Sequence, residues 1–546
     1  MDVINYSKIK KVEKDLAAHK EDYANEIKQI KSALALAHYD REKGEYVNLD
    51  QFWNSLRNGK IYTVEFNNYD ISPSPLGIKK DDNEGLECEP STNTIRGKND
   101  YENIGLFMSI DVNAYVDEND DYHVTAIKGD GRFKKDGTMG DVYVMAMVGY
   151  LKYFETDEVW GYSYSDAMHP GFEILQEAEK PNGGIRPYLL HAKYVAGRNT
   201  HENDNLASIS GVNPEYSGMS HNGQITEFKK KGVQYSGKTS HDDFYMQLMF
   251  WIKYATTHSQ SVMYGATSSY YLQYVNLVAE TNVKRVIVTN AQGNNLLINS
   301  CVSIGDYRGG EISSDRALGQ NYNIANRVKI IDIEDLGDGN SAVYVDSDSE
   351  FNTTLTTTIT TYPWQTGSCD EVLGQDGSPY NPLSGKEPFI INGIETMLGG
   401  YEVIQNLIIY NNNTDTDNYR IQLYACYDCT KYATSPNDYY DLVGYELVQT
   451  EATWKYISKI GIDPNHPTVI VPIEVEANSS TGFADGVYTN LPVTGYRGWL
   501  SLGNLDYGAY SGLRYLNANS SLSPSNWHVL GRLSATGRSR RRAGVN

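Results

Sequence analysis

Cysteine is scarce in this chain, with five in 546 residues. That is too few to build a disulfide framework at such a length. Cys426 and Cys429 form a lone CxxC with no second pair and no His cluster nearby. Two buried thiols are therefore expected in preference to a zinc site, which needs four ligands. Long apolar runs are missing as well. No segment is long enough to span a bilayer and the first fifteen residues contain no apolar signal core, so a soluble product made in a cytoplasm, with no membrane insertion, is expected. Positive charge is in deficit: 47 Lys and Arg against 69 Asp and Glu give a net charge of −22. This argues against nucleic acid as a partner, because such binding rests on neutralising phosphates. The one basic run, Arg538 to Arg542, reads as a mobile solvated tail.

Phenylalanine is also rare, at 12 residues against 44 Tyr and 48 Gly. Tyrosine in place of Phe implies half-exposed aromatic faces on strands separated by many turns, a β-rich α+β chain. Its length predicts roughly two to four domains. The expected divisions are 1–45, 46–225, 226–281, 282–366 and 367–546.

Residues 5–38 lack Pro and Gly, and Ile9, Val12, Leu16, His19 and Tyr23 step by three and four, with Ile27, Ile30, Leu34 and Ala37 continuing the stripe. So narrow a seam suits a self-associating coiled coil or packing on a partner, and a helix folded on its own domain is the alternative. Strands are expected over Lys60–Phe66, Leu106–Val116, Tyr122–Ile127 and the apolar run Asp141–Phe154. The charged stretch from Ser72 to Asn99 reads as a loop with little to bury. Ser240 with Asp243 has capping-box spacing, predicting a helix over His241–Thr257 with His258 as a favourable charge at its end.

From Asn282 to Trp364 the period becomes two, in short strands that predict a small β-barrel inserted into a larger domain. Asp332 to Asp338, Asp346 and Asp348 lack EF-hand spacing, so solvated turn carboxylates are the reading, with calcium as the alternative. After Pro388 the strands resume and end in Gly495–Ser534. There the apolar anchors Trp499, Leu500, Leu502, Leu513, Leu516 and Leu533 are separated by Asn, Tyr, Ser and Asp. Few buried positions among small polar groups and aromatics is the composition of a recognition surface, and loops over an ordinary β core are the alternative.

Several stretches carry a resemblance. Ile391–Gly400 (INGIETMLGG) running on to Leu407 resembles the strand entry of the formylglycine-generating-enzyme branch of the C-type-lectin fold. Tyr496–Asn504 (YRGWLSLGN) with Gly531–Ser534 (GRLS) resembles that branch's closing signature, and the helix around Phe244–Ala255 sits where the family carries one. Leu505 stands where a Trp is usual. Gly512–Asn519 and Ser525–Ser534 are similar to the ending of phage tail-tip proteins diversified by a retroelement.

That resemblance implies a C-type-lectin-like domain in a homotrimeric, fibre-like virion protein. Its N-terminal helix would join other tail or baseplate proteins, and its face over 495–534 would meet a bacterial surface protein or glycan. The implied variable positions are Asn504, Asp506, Tyr507, Tyr510, Arg514, Tyr515, Asn517, Asn519, Ser520, Asn526 and His528. Trp527 is read as an aromatic contact or as a core plug. No cofactor, metal or catalysis is implied. No Cys follows Cys429, so the closing segment lacks the thiol pair of the family's oxidative chemistry. A structural baseplate or collar component is the main alternative, and a glycan-degrading tailspike, which needs two paired carboxylates, is the lesser one.

Overall fold

The computed structural model describes residues 36–269, 273–306, 322–414, 419–490 and 493–542. Strand accounts for 36% and helix for 10%, so the chain is β-rich with a few helices, built from open sheets. The helix expected over residues 5–38, and all of its apolar stripe but Ala37, fall on residues up to position 35 that lie outside the described ones. Within them His38 already opens a strand, His38–Asp40, paired with Glu45–Val47. Among the described residues no helix is long and apolar enough to cross a membrane.

Two antiparallel sheets of five and six strands and one long buried helix dominate the N-terminal half. Ile61–Asn67 lies between Val159–Ser165 and Ile78–Asp81 in a five-stranded sheet. The apolar run after Gly140 gives Asp141–Ala146, a strand buried at every position at the centre of a six-stranded sheet. The long helix, Ser240–Tyr254, is buried along all but its last residue, which explains apolar residues on every side of it. Tyr162 stacks on its Trp251 at 5.7 Å. Its capping box uses Thr239 and Asp242, one residue earlier than expected. Asp243 is otherwise engaged, with Oδ1 2.7 Å from Lys238 Nζ and Oδ2 accepting from Gln247 Nε2 at 2.6 Å. The helix stops at Ala255, whose φ is 47°, so His258 falls beyond the end, and burial favours its neutral form. The 72–99 stretch buries more than expected. Asn83, fully buried, donates to Thr63 O and to Ile252 O, satisfying a helix-end carbonyl.

The insertion is an open six-stranded sheet, where a barrel was expected. Its own core holds Val286, Val302, Ile304, Ile330 and Val343. The edge strands Gln273–Val275 and Arg285–Thr289 do not ladder. Just past the first of them Asn276 Oδ1 accepts the Ile287 N–H at 2.9 Å and the Leu277 N–H donates to Ile287 O at 2.9 Å, so the edges touch without forming a strand ladder. Asp335 and Asp338 shape a turn, accepting from the backbone N–H groups of Gly337 and Asn340, and Asp346 accepts the Lys329 N–H from the neighbouring strand.

The C-terminal half is an eight-stranded sheet. Tyr401–Asn412 lies between Arg420–Cys426 and Gly495–Leu502, which pairs in turn with Gly512–Ala518. Gly486–Thr489 and Lys455–Tyr456 follow to the edge. All six expected anchors of the closing segment are buried. Cys426 and Cys429 are buried and unlinked, and burial pushes the Cys426 thiol up to about 12. The chain then returns to the N-terminal half, with Leu533–Ser534 between Ser236–Gly237 and Leu189–Ala192. At that crossing Arg532 grips Glu402 in two bonds of 2.9 and 2.7 Å. Arg532 also donates to Ala192 O and Glu395 O, and Lys238 Nζ lies 3.3 Å from Glu402 Oε2. The Arg538–Arg542 run is docked, not loose, because acidic partners line its path. Arg538 lies 3.2 Å from Asp120, Arg541 pairs with Asp441, and Arg542 lies 3.0 Å from Glu179.

Burial alone would raise the Glu402 carboxyl, and Arg532 with Lys238 overcomes it, holding the pKa down to about 2. The pair therefore stabilises the fold fully above the ordinary carboxyl value of 4.5, and that contribution is lost as pH falls toward 2. Glu402→Gln is expected to flatten this acid limb in thermal unfolding followed against pH; an unchanged limb would contradict the assignment. Arg532→Ala, which strands a buried carboxylate, should cost about 3–5 kcal/mol in denaturant unfolding.

Candidate binding face

One end of the C-terminal sheet gathers aromatic rings from four separate stretches. Thr450 and Thr489 fasten the first of them by reciprocal bonds, Thr450 N to Thr489 Oγ1 at 2.9 Å and Thr489 N to Thr450 Oγ1 at 2.8 Å. This holds Trp454 and Tyr456 beside the strand that carries Tyr488. Gly486 makes the closeness possible, since a Cβ there would lie 2.9 Å from Tyr510 Cβ and 3.2 Å from Trp454 Cε3. Trp454 is the hub, with ring centroids 4.8 Å from Tyr507, 5.1 Å from Tyr488, 5.1 Å from Tyr515 and 5.5 Å from Tyr510. Tyr456 stacks on Tyr510 at 4.7 Å. Beneath them Tyr401 lies 5.9 Å from Tyr515 and 5.2 Å from His528. Offset and edge contacts of this kind each add about 0.5–1.5 kcal/mol beyond burial, so the rings hold one another in place.

Tyr401 and Tyr515 form the buried floor, while Trp454, Tyr456, Tyr488, Tyr507 and Tyr510 remain half-exposed. Burial raises the floor hydroxyls well above the ordinary phenol range, so they stay protonated. The Tyr515 hydroxyl and Asn517 Nδ2 both reach the Tyr401 hydroxyl at 3.4 Å. Ring faces and hydroxyls with neighbouring amides are suited to adsorbing a ligand by contact area and hydrogen bonds.

The twelve residues expected to be displayed divide into three groups. Tyr507, Tyr510, Tyr515, Asn517 and His528 meet on or under the aromatic face, though Tyr515 and Asn517 are buried. Asp506, Asn519, Ser520 and Asn526 lie on the surrounding loops with exposed or half-exposed side chains. Asn504, Arg514 and Trp527 point inward and are not displayed. Asn504 Oδ1 accepts from Asp506 N and so sets the turn. Arg514 turns to the helix side of its strand, donating to Gln247 Oε1 at 2.5 Å and Ile470 O at 3.0 Å. Trp527 fills a core with Leu398, Leu505 and Leu530. That is the plug reading, and Leu505 packs beside it.

Sequence reasoning missed Tyr401, Trp454, Tyr456 and Tyr488. Trp454 and Tyr456 carried a local signal, two aromatics one residue apart in a polar stretch. Their approach to Tyr507 depends on strand pairing across the sheet. Among the described residues no group of three or more His, Cys, Asp or Glu is arranged to hold a metal ion. No known family model and no curated protein matches the chain.

Gly486→Ala forces the Trp454 and Tyr510 rings apart. It should alter the near-ultraviolet circular dichroism and tryptophan emission while the far-ultraviolet spectrum stays unchanged, at a cost of about 1–3 kcal/mol. Unaltered aromatic spectra would mean that the rings are not packed as described.

Proposed function

We propose that the protein is a receptor-binding component of a phage tail fibre or tail tip, which recognises the bacterial host surface through the aromatic face around Trp454, Tyr507 and Tyr510. The observation that carries this reading is the cluster of half-exposed rings standing on a buried floor, with polar loops at its border. Half-exposed Trp and Tyr supply contact area at low entropy cost. The resemblance of the closing segment to retroelement-diversified tail proteins supports the same reading. It supplies the rest of the proposal: a C-type-lectin-like domain, a homotrimer, attachment to tail or baseplate proteins by the N-terminal helix, and residence in the virion. The ligand is a surface protein or glycan, and the face binds without catalysis. Single sites need not be tight, because several copies on one particle raise avidity by roughly 10²–10⁴ where geometry permits simultaneous contact.

Purified protein is expected to bind intact host cells, and Trp454→Ala combined with Tyr507→Ala and Tyr510→Ala is expected to abolish that binding, since truncating an aromatic anchor costs on the order of 2 kcal/mol or more. Unchanged cell binding by a folded triple variant would remove the face from the site. Binding only to other virion proteins would favour a baseplate or collar component, and release of sugars from the cell surface would favour a tailspike enzyme.

A further inference from the structure

Three buried side chains that the proposed binding face does not use meet where the long helix packs on the hairpin after the insertion. Lys253 Nζ lies 2.8 Å from Asp376 Oδ2 and donates to Asn392 Oδ1 at 2.7 Å. Asp376 Oδ1 accepts from the Asn392 backbone N–H at 3.0 Å, and Asn392 Nδ2 donates to the Tyr245 hydroxyl at 3.0 Å. The side chains of Lys253 and Asp376 are 0% exposed, and Asn392 is equally enclosed. The amine, the amide carbonyl it would attack and a carboxylate able to carry protons are thus held in contact, away from water. Enforced proximity of this kind replaces a bimolecular encounter.

We propose that Lys253 and Asn392 become joined by an isopeptide bond that forms within the folded chain, with Asp376 as the catalytic residue. Asp376 takes one proton from the Lys253 ammonium, and the amine so formed attacks Asn392 Cγ, making the Nζ–Cγ bond. The carboxyl then relays protons from the attacking nitrogen to Nδ2. The Cγ–Nδ2 bond breaks and ammonia leaves. An ammonium, a carboxylate and a primary amide become a secondary amide, a carboxylic acid and one ammonia, so atoms and charge balance with no oxidant or co-reactant. General acid–base transfer by a positioned carboxyl is well suited to such a step. Enclosure also shields the product from hydrolysis.

Asn392 precedes Gly393, and attack by the Gly393 backbone nitrogen to form a succinimide would expel the same ammonia. That nitrogen is engaged, donating to Gln375 O at 2.8 Å, while Lys253 Nζ faces the side-chain amide. Lys253 lies one residue before the end of the long helix and Asn392 in the hairpin turn between Phe389–Ile391 and Ile394–Thr396. The bond would span 139 residues and enclose the whole inserted sheet, bracing the two parts of the chain from which the insertion departs.

The test is the intact mass of the full chain under denaturing conditions, followed by sequencing of its tryptic peptides. The expected result is a mass below that of the sequence by one ammonia, with a branched peptide linking Lys253 to Asn392. Asp376→Asn and Lys253→Arg should each restore the full mass. If either variant fails to fold, the wild-type peptide map decides alone. A wild-type mass equal to the sequence mass would overturn the proposal. So would a deficit confined to a linear peptide at Asn392–Gly393 that persists in Lys253→Arg.

Discussion

The bidentate grip of Arg532 on Glu402 is the contact on which the architecture depends. Glu402 stands at the start of the central strand of the eight-stranded sheet, and Arg532 immediately precedes the last strand, Leu533–Ser534. The same guanidinium holds carbonyls at Ala192 and Glu395, so one side chain connects the C-terminal sheet, the hairpin before it and the N-terminal six-stranded sheet. Lys238 and Asp243 extend the network to the long helix. An isolated charge at such depth would be prohibitive, and each member is tolerated because the others satisfy it. Breaking the network at one member therefore costs far more than any surface pair, whose worth is about 0–1 kcal/mol.

This clamp fixes the segment from which the aromatic face is displayed. Residues 512–518 direct Arg514 inward to Gln247 and Ile470 while Tyr515 and Asn517 support the rings on the other side. Turns around the face are set by Asn504, Asn517 and Asn526, whose side-chain oxygens accept backbone N–H groups of Asp506, Asn519 and Trp527. Frame and display are thus separated residue by residue within a short stretch. A proposed recognition role that must change partner gains from this separation, since side chains outside the frame can vary without loosening it.

Much of this was legible in the sequence. Strands at Ile61–Asn67, Ser109–Val116, Tyr122–Ile127 and Asp141–Ala146, four of the six in the inserted sheet and the six buried anchors of the closing segment followed from apolar patterning and from Gly and Asp turns, whereas Val159–Ser165 and Leu189–Ala192 were not anticipated and Ile78–Asp81 lies in a stretch read as a loop. What escaped depended on tertiary pairing. Thr239 and Ser240 both have an acid three residues on, and only the engagement of Asp243 by Lys238 and Gln247 decides the cap. The docking of Arg538–Arg542 required acidic partners from distant positions such as Asp120 and Glu179. The edges of the inserted sheet meet through the Asn276 side chain and one backbone bond without a strand ladder. At the candidate site, composition identified a polar-aromatic segment but could not separate Arg514 and Trp527, which face inward, from Tyr507 and Tyr510. Nor could it draw in Trp454, some fifty residues earlier.

The division between frame and display is tested most directly by saturating positions 504–532 with substitutions and scoring each variant for protease resistance. Asp506, Asn519 and Ser520 are expected to accept nearly every residue, whereas Asn504, Arg514, Trp527 and Arg532 are expected to accept almost none. Equal tolerance at the two sets, or intolerance at the loop positions, would contradict it.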